Sequence, residues 1–304
     1  MNTKSLRFRI VDAFYISMMI IPIVAGIVLK VVTTPPSEGI NITGALVYFS
    51  IPMPLQDFLI TESQINSAIA FIVILFFCLF ITHGISEKAE LKRQHVAEFI
   101  VEKVAAMVDE NMGGYFKSFT PFIIAMLALS GVSSLLTLFG LYPPTSDINI
   151  VGGWAILVFI LITYYKMKCG PINYLKSFGD PVPFLAPLNV ISEVATPLSM
   201  AFRHYGNVLS GSVISVLLGS ALAGLSSMVL GWLPGFLADI PLFRVGIPAV
   251  LSVYFDIFSG CLQAFIFAML TMLYVAGGFP LEEYMKRQEK RSRKNRKNTL
   301  KRDE

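Results

Sequence analysis

The chain has 304 residues, of which 55% are hydrophobic and 14% charged, with a formal net charge of +4 and a mean hydropathy of +0.67. Soluble domains carry about 25% charged residues, so this composition excludes the two soluble domains that the length alone would allow and describes one bundle of membrane segments. The apolar stretches are continuous and near 20 residues long, which fits spanning helices and not the alternating ten-residue strands of a barrel.

In chain order, the first apolar segment runs from about Ile10 to Val32, the second from Ile65 to Thr82, the third from Phe119 to Leu141 and the fourth from Val151 to Tyr165. A longer pair follows, Phe184 to Leu237 and Leu242 to Phe279. A spanning helix needs about 20 residues, so the fifth segment must tilt strongly, break, or continue outside the membrane. The first segment follows a basic start, as a signal peptide would. It is longer than a usual signal core and lacks a clear small-residue cleavage site, so it is read as a retained helix.

Lys and Arg counts orient the bundle. Met1 to Ile10 carries three, Thr33 to Gln64 none, Ser86 to Ser118 five, Tyr142 to Ile150 none, Lys166 to Pro183 three, and the tail after Tyr284 ten. Basic and non-basic connections alternate until the last hairpin, whose loop holds Arg244 alone. Both termini are then cytoplasmic and the number of spans is even; six spans satisfy this. The expected organisation is an N-terminal helix and outer loop over 1–64, helices two to four with their cytoplasmic loops over 65–183, a helix hairpin over 184–280, and a basic cytoplasmic tail over 281–304. The tail, with its run from Lys286 to Arg302, reads as a solvated segment attracted to anionic lipid.

Cys78, Cys169 and Cys261 are far apart and in no metal-binding or redox spacing, so they are read as packing residues. There is no Gly-rich phosphate loop and no HExxH motif. The chain shows no means of hydrolysing a nucleotide itself, and no cofactor is expected.

Between Glu193 and Asp239, Arg203 is the only full charge in 45 intervening residues. A charge at bilayer depth costs at least about 2.5–3.5 kcal/mol and persists only with a partner or a watery cavity, which marks it as a functional candidate. On a helix, Ser199, Arg203, Asn207 and Ser210 share a face, while Gly206, Gly211, Ser212 and Gly219 offer small surfaces for close helix packing. In the last segment Asp256, Gly260 and Gln263 are spaced i, i+4, i+7, with Ser252 and Ser259 close by. Two readings compete: an Asp256–Arg203 ion pair that clamps two helices, or an ion path lined by the amide and hydroxyl rows. His204 points about 100° away from Arg203 and is either structural or a relay. Glu193 lies ten residues before Arg203, about 15 Å along a helix, toward the cytoplasmic side.

The run from Pro197 to Gly211, PLSMAFRHYGNVLSG, resembles the signature P-x-S-L-x-x-R-x-x-G-N-x-x-x-G of subunit a of the F-type ATP synthase. The stretch from Phe184 to Glu193 and the stretch from Leu262 to Tyr274 are similar to the same family, and weaker similarity reaches back through Pro144–Asn149 to about Ile65. The resemblance implies an all-α membrane protein of about six transmembrane helices, with a long tilted C-terminal hairpin facing a rotor ring. It implies the stator half of a rotary motor that moves a proton or a sodium ion through two half-channels in a bacterial cell membrane. Its partners would be the c-subunit ring, the b-subunit peripheral stalk and the remainder of the complex, with no nucleic acid. Arg203 maps onto the essential arginine that faces the ring carboxylate. Asn207 and Gln263 map onto the outer half-channel, and Ser199 and Glu193 fall near the inner one. Two positions depart from the family pattern. Ser212 stands where many members have glutamate, and Asp256 stands where some have histidine, so the acid of the outer half-channel is moved to the last helix. A secondary ion-coupled transporter is the alternative; it would show two similar halves with matched broken helices, and no such repeat is seen. An intramembrane hydrolase would need a nucleophile motif, which is also lacking.

Overall fold

The computed structural model describes residues 3–34, 44–54, 56–86, 91–168, 170–179, 182–230, 250–251, 253–281 and 284–286. Among them, six helices are long and apolar enough to cross a membrane: Phe8–Thr33, Glu62–Thr82, Gly114–Phe139, Ile148–Met167, Pro183–Val229 and Val253–Gly277. The chain is thus the expected all-α membrane protein.

Helix α1 (Thr3–Thr33) lies along α2 (Glu62–Thr82). Gly26 permits this approach, since a Cβ there would sit 2.7 Å from Ile69 Cδ1. The first turn of α2 is set by a capping box between Thr61 and Gln64, which supplies partners to backbone N–H groups that the helix itself leaves free. Between α1 and α2, the stretch expected as an outer loop contains an antiparallel pair, β1 (Val47–Ile51) and β2 (Phe58–Thr61).

The basic stretch expected as a loop before the third span contains a further helix, α3 (Lys92–Met112). It is not apolar enough to span, and it lies against the bundle through Gln94, Val108 and Met112. Helix α4 (Thr120–Leu135) continues a 3₁₀ turn at Gly114–Phe119 and ends in another at Leu136–Phe139. The chain leaves it at Gly140, whose φ of +74° favours glycine. Asp147 caps α5 (Ile148–Met167) by accepting the Asn149 N–H at 2.9 Å. A short α6 (Pro171–Ser177) follows.

Helix α7 (Ala186–Leu230) has 45 residues and contains Pro197. At 1.5 Å per residue it is about 67 Å long, more than twice the ~30 Å hydrocarbon core. It does not break between these bounds, so of the three outcomes expected for this segment, tilt or extension beyond the membrane remains. Residues 231–249, with Arg244, lie outside the described residues, as do Cys169 and the tail beyond Lys286. The last span opens with a π-helical stretch, Val253–Ser259, and continues as α8 (Gly260–Gly277).

The main core forms where α3, α4, α5, α7 and α8 meet, around Val108, Ile123, Val158, Met200, Phe267 and Met272. Helices α4 and α8 approach closely at Gly260, where a Cβ would meet Ser134 Cβ at 2.6 Å. Cys78 and Cys261 do not pack inside this core as expected; both are on the outer surface of the bundle.

Candidate functional site

The buried side of α7 is formed by Pro197, Met200, Ala201, His204 and Gly211, which recur at three, four and seven residues. Ala201 packs with Val151 and Ala155 of α5. Arg203 lies outside this stripe and is exposed, as are Ser199 and Ser210 on either side of it along the helix. Arg203 has no ion pair or hydrogen bond among the described residues. The expected clamp from Asp256 is not part of what the structure describes, because the Asp256 side chain lies outside the described residues; its backbone belongs to the π-helical stretch. Such stretches widen a helix and recur at functional sites.

Toward the hairpin end, α7 is joined to the last span by a reciprocal pair. Asn207 Nδ2 donates to Ser259 Oγ at 2.8 Å, and Ser259 Oγ donates to Asn207 Oδ1 at 3.1 Å. Beside it lies a cleft of about 20 Å³, room for one water molecule, lined by Asn207, Gly211, Ser212, Phe255, Gly260, Ser134 of α4 and Thr137 of the 3₁₀ turn that follows it. Ser212 is exposed and its Oγ donates to Leu209 O at 2.8 Å. Gln263 is 5% exposed, one turn beyond Ser259 on α8.

Toward the opposite end, a cavity of about 240 Å³ is lined by Lys166, Glu193, Thr196, Tyr274, Gly277 and Gly278 among others. Glu193 is not a free interfacial carboxylate. It pairs with Lys166 Nζ at 3.0 Å with 9% of its side chain exposed, and Tyr174 donates to its Oε1 at 3.0 Å. Burial, and then Glu193 itself, raise the Tyr174 hydroxyl above its ordinary pKa, so it stays protonated and keeps donating. Glu193 lies ten residues before Arg203, and Asn207 and Ser212 lie four and nine after, which at 1.5 Å per residue puts Glu193 about 15 Å to one side along the helix and the cleft residues about 6 to 14 Å to the other.

Of the seven residues singled out from the sequence, Asn207 and Ser212 share the cleft, Gln263 is buried on the next turn of α8, and Glu193 lines the separate cavity. Ser199 and Arg203 stand on the exposed face between them. The sequence missed the partners. Ser259 reads from the sequence only as a neighbour and Lys166 only as a loop charge, and Tyr174, Ser134 and Thr137 carry no local signal, since their roles come from residues 19 or more positions away. Matched broken helices in two halves, which a secondary transporter would show, are not found among the described residues; the one π-helical stretch is in the last span.

Residues 65–276 match the family model described as "ATP synthase A chain". The chain is 32% identical over 241 residues to "ATP synthase subunit a" of Priestia megaterium, covering 73% of this chain and 95% of that one. It is 30% identical over 206 residues to "ATP synthase subunit a 1" of Crocosphaera subtropica, covering 67% and 80%. It is also 30% identical over 226 residues to "ATP synthase subunit a" of Geobacter sulfurreducens, covering 71% and 88%.

Proposed function

The chain belongs to the ATP synthase A chain family, and on that premise we propose that it is the ion-translocating stator subunit of an F-type ATP synthase, in which Arg203 divides two aqueous half-channels facing a ring of c subunits. The observation that carries this reading is the position of Arg203: an exposed cation on α7, between a cleft at Asn207 and Ser212 and a cavity at Glu193. A ring carboxylate must be charged beside the stator and neutral in lipid. A fixed guanidinium favours the charged form by Coulomb attraction and cannot lose its own proton to short-circuit the path. Each ion crossing a potential of 100 mV releases about 2.3 kcal/mol, so several transfers are needed per ATP, which suits many ring carboxylates served by one arginine.

In this reading the cleft belongs to the outer half-channel, with Asn207, Ser212, Gln263 and Asp256, and the cavity to the inner one, with Glu193 and, farther along the exposed face of α7, Ser199. The oxygen groups serve a proton or a sodium ion, and the choice rests with the ring. The b-subunit stalk completes the stator. The test is Arg203→Ala in the assembled complex in vesicles: ATP-driven ion uptake is lost while the amount of complex is unchanged. Uptake at the normal rate would sink the assignment.

A further inference from the structure

His204 follows Arg203 directly and is 0% exposed. Three other helices hold its ring. Its Nε2 stands 3.4 Å from Ser130 Oγ of α4. The ring packs edge-on against Trp154 of α5, with centroids 6.0 Å apart and planes at 89°, and against Phe267 of α8, at 5.6 Å and 86°. Its Nδ1 is buried with no hydrogen-bond partner among the described residues. A relay passes a proton from one partner to the next through both ring nitrogens. Here one nitrogen meets a hydroxyl and the other has no partner, in a setting of two aromatic rings. The geometry suits a lock better than a conductor.

What it locks is a rotation. Neighbouring residues on a helix point about 100° apart, so the direction of His204 sets that of Arg203. A turn of α7 by about 20° would carry a group about 8 Å from the helix axis sideways through about 3 Å, enough to swing a guanidinium off the exposed face that lies between the two cavities. Met200, Ala201 and the Asn207–Ser259 pair hold the same side of α7, while Leu198 and Phe202 around Arg203 are exposed, so His204 is the buried polar contact next to the guanidinium. We infer that His204 is a positioning residue for Arg203: held by Ser130, Trp154 and Phe267, it fixes the rotation of α7 so that the guanidinium points out of the exposed face between the two cavities. This rests on the role of Arg203 given above.

The experiment uses the whole complex in vesicles, with a reporter cysteine, Ser210→Cys, on the exposed face that carries Arg203. Two quantities are read per assembled complex: ATP-driven ion uptake, and the rate of reporter reaction with a water-soluble maleimide. His204→Ala removes the ring. Uptake falls about tenfold or more, as misplacement of a catalytic group by about an ångström does, and the reporter rate shifts with it. His204→Gln replaces Nε2 by an amide that reaches Ser130 but cannot relay a titrating proton, and it restores both quantities toward wild type. Ser130→Ala moves both in the direction of His204→Ala, by less. Uptake that falls without a change at the reporter, a reporter that shifts without a loss of uptake, or a His204→Ala complex with normal uptake each overturns the inference; the first of these would make the imidazole a relay. Arg203→Ala in the same background keeps the two readings apart. If it still pumps, the function assignment fails; if it does not pump while His204→Ala pumps normally, only the positioning role fails.

Discussion

A lone guanidinium and a lone carboxylate on neighbouring spans invite an ion pair, yet Arg203 stands exposed without one among the described residues. Asp256 sits in the π-helical stretch between Phe255, which lines the cleft, and Ser259, which is bonded to Asn207. That backbone position places Asp256 beside the outer polar region, where Ser212 leaves no competing acid. The expected outcome of Asp256→Asn, which keeps size and hydrogen bonding but removes titration, is a fall in passive ion flux of an order of magnitude or more, the kind of contribution a positioned proton donor makes. Assembly should be unaffected. Adding Ser212→Glu returns an acid to the same cleft from α7 and should recover part of the flux. A helix clamp predicts the reverse: loss of assembly with Asp256→Asn and no rescue. Flux through vesicles holding each assembled variant separates the two, and undiminished flux in Asp256→Asn ends the channel role.

At the scale of elements, the contact of α4 with α8 places the cleft, because Ser134 and Gly260 both line it and touch each other there. Any side chain at 260 would meet Ser134 Cβ at 2.6 Å and Oγ at 3.0 Å. Gly260→Val should therefore destabilise the subunit by about 1–3 kcal/mol, the usual cost of overpacking, seen as a lower thermal midpoint of the complex. Ser134→Gly in the same chain should recover part of it. Gly131→Ala on α4, where a Cβ meets nothing within 4 Å, should be neutral or slightly stabilising. An equal loss for both glycines would mean that helix propensity, not close packing, governs this contact. The close approach was not legible in the sequence, which shows small residues but not their partners. The spans were legible because some 20 apolar residues in a row admit one solution in lipid. Helix α3 was missed because its charges read as a loop, although Val104, Val108 and Met112 recur on one face toward the core. The strands were missed because Pro52 and Pro54 interrupt the apolar run between them. The Arg203 face was legible from spacing alone, whereas Lys166 on Glu193 and Ser130 on His204 are long-range pairings that no local pattern encodes.

Across the whole molecule, polar ties gather in two layers. At the hairpin end Lys30 pairs with the buried Glu62 at 3.1 Å, Ser63 donates to Asp147 at 2.6 Å and Asn66 donates to the Tyr142 carbonyl at 2.8 Å. At the opposite end Arg93 and His83 meet Asp12 at 2.8 and 3.1 Å, and Lys168 sits among the rings of Tyr115, Tyr165, Phe279 and Tyr284 while donating to Tyr115. On α1 the two layers are marked by Asp12 and Lys30, 18 residues apart, about 27 Å along the helix, close to the ~30 Å thickness of the hydrocarbon core. Helix α1 is thereby tied to its neighbours at both of these layers. The Asp12 layer is also the one joined to the connections rich in Lys and Arg, which the positive-inside rule assigns to the cytoplasm. Both ends of the chain should then lie there. Cysteines introduced at Ser5 and Thr299 are expected to react with a membrane-impermeant maleimide only in inside-out vesicles, and one introduced at Ser50 of the hairpin only in right-side-out ones. Reaction at Ser5 from the outside, with Thr299 still inside, would mean that α1 does not cross and that the count of spans is odd.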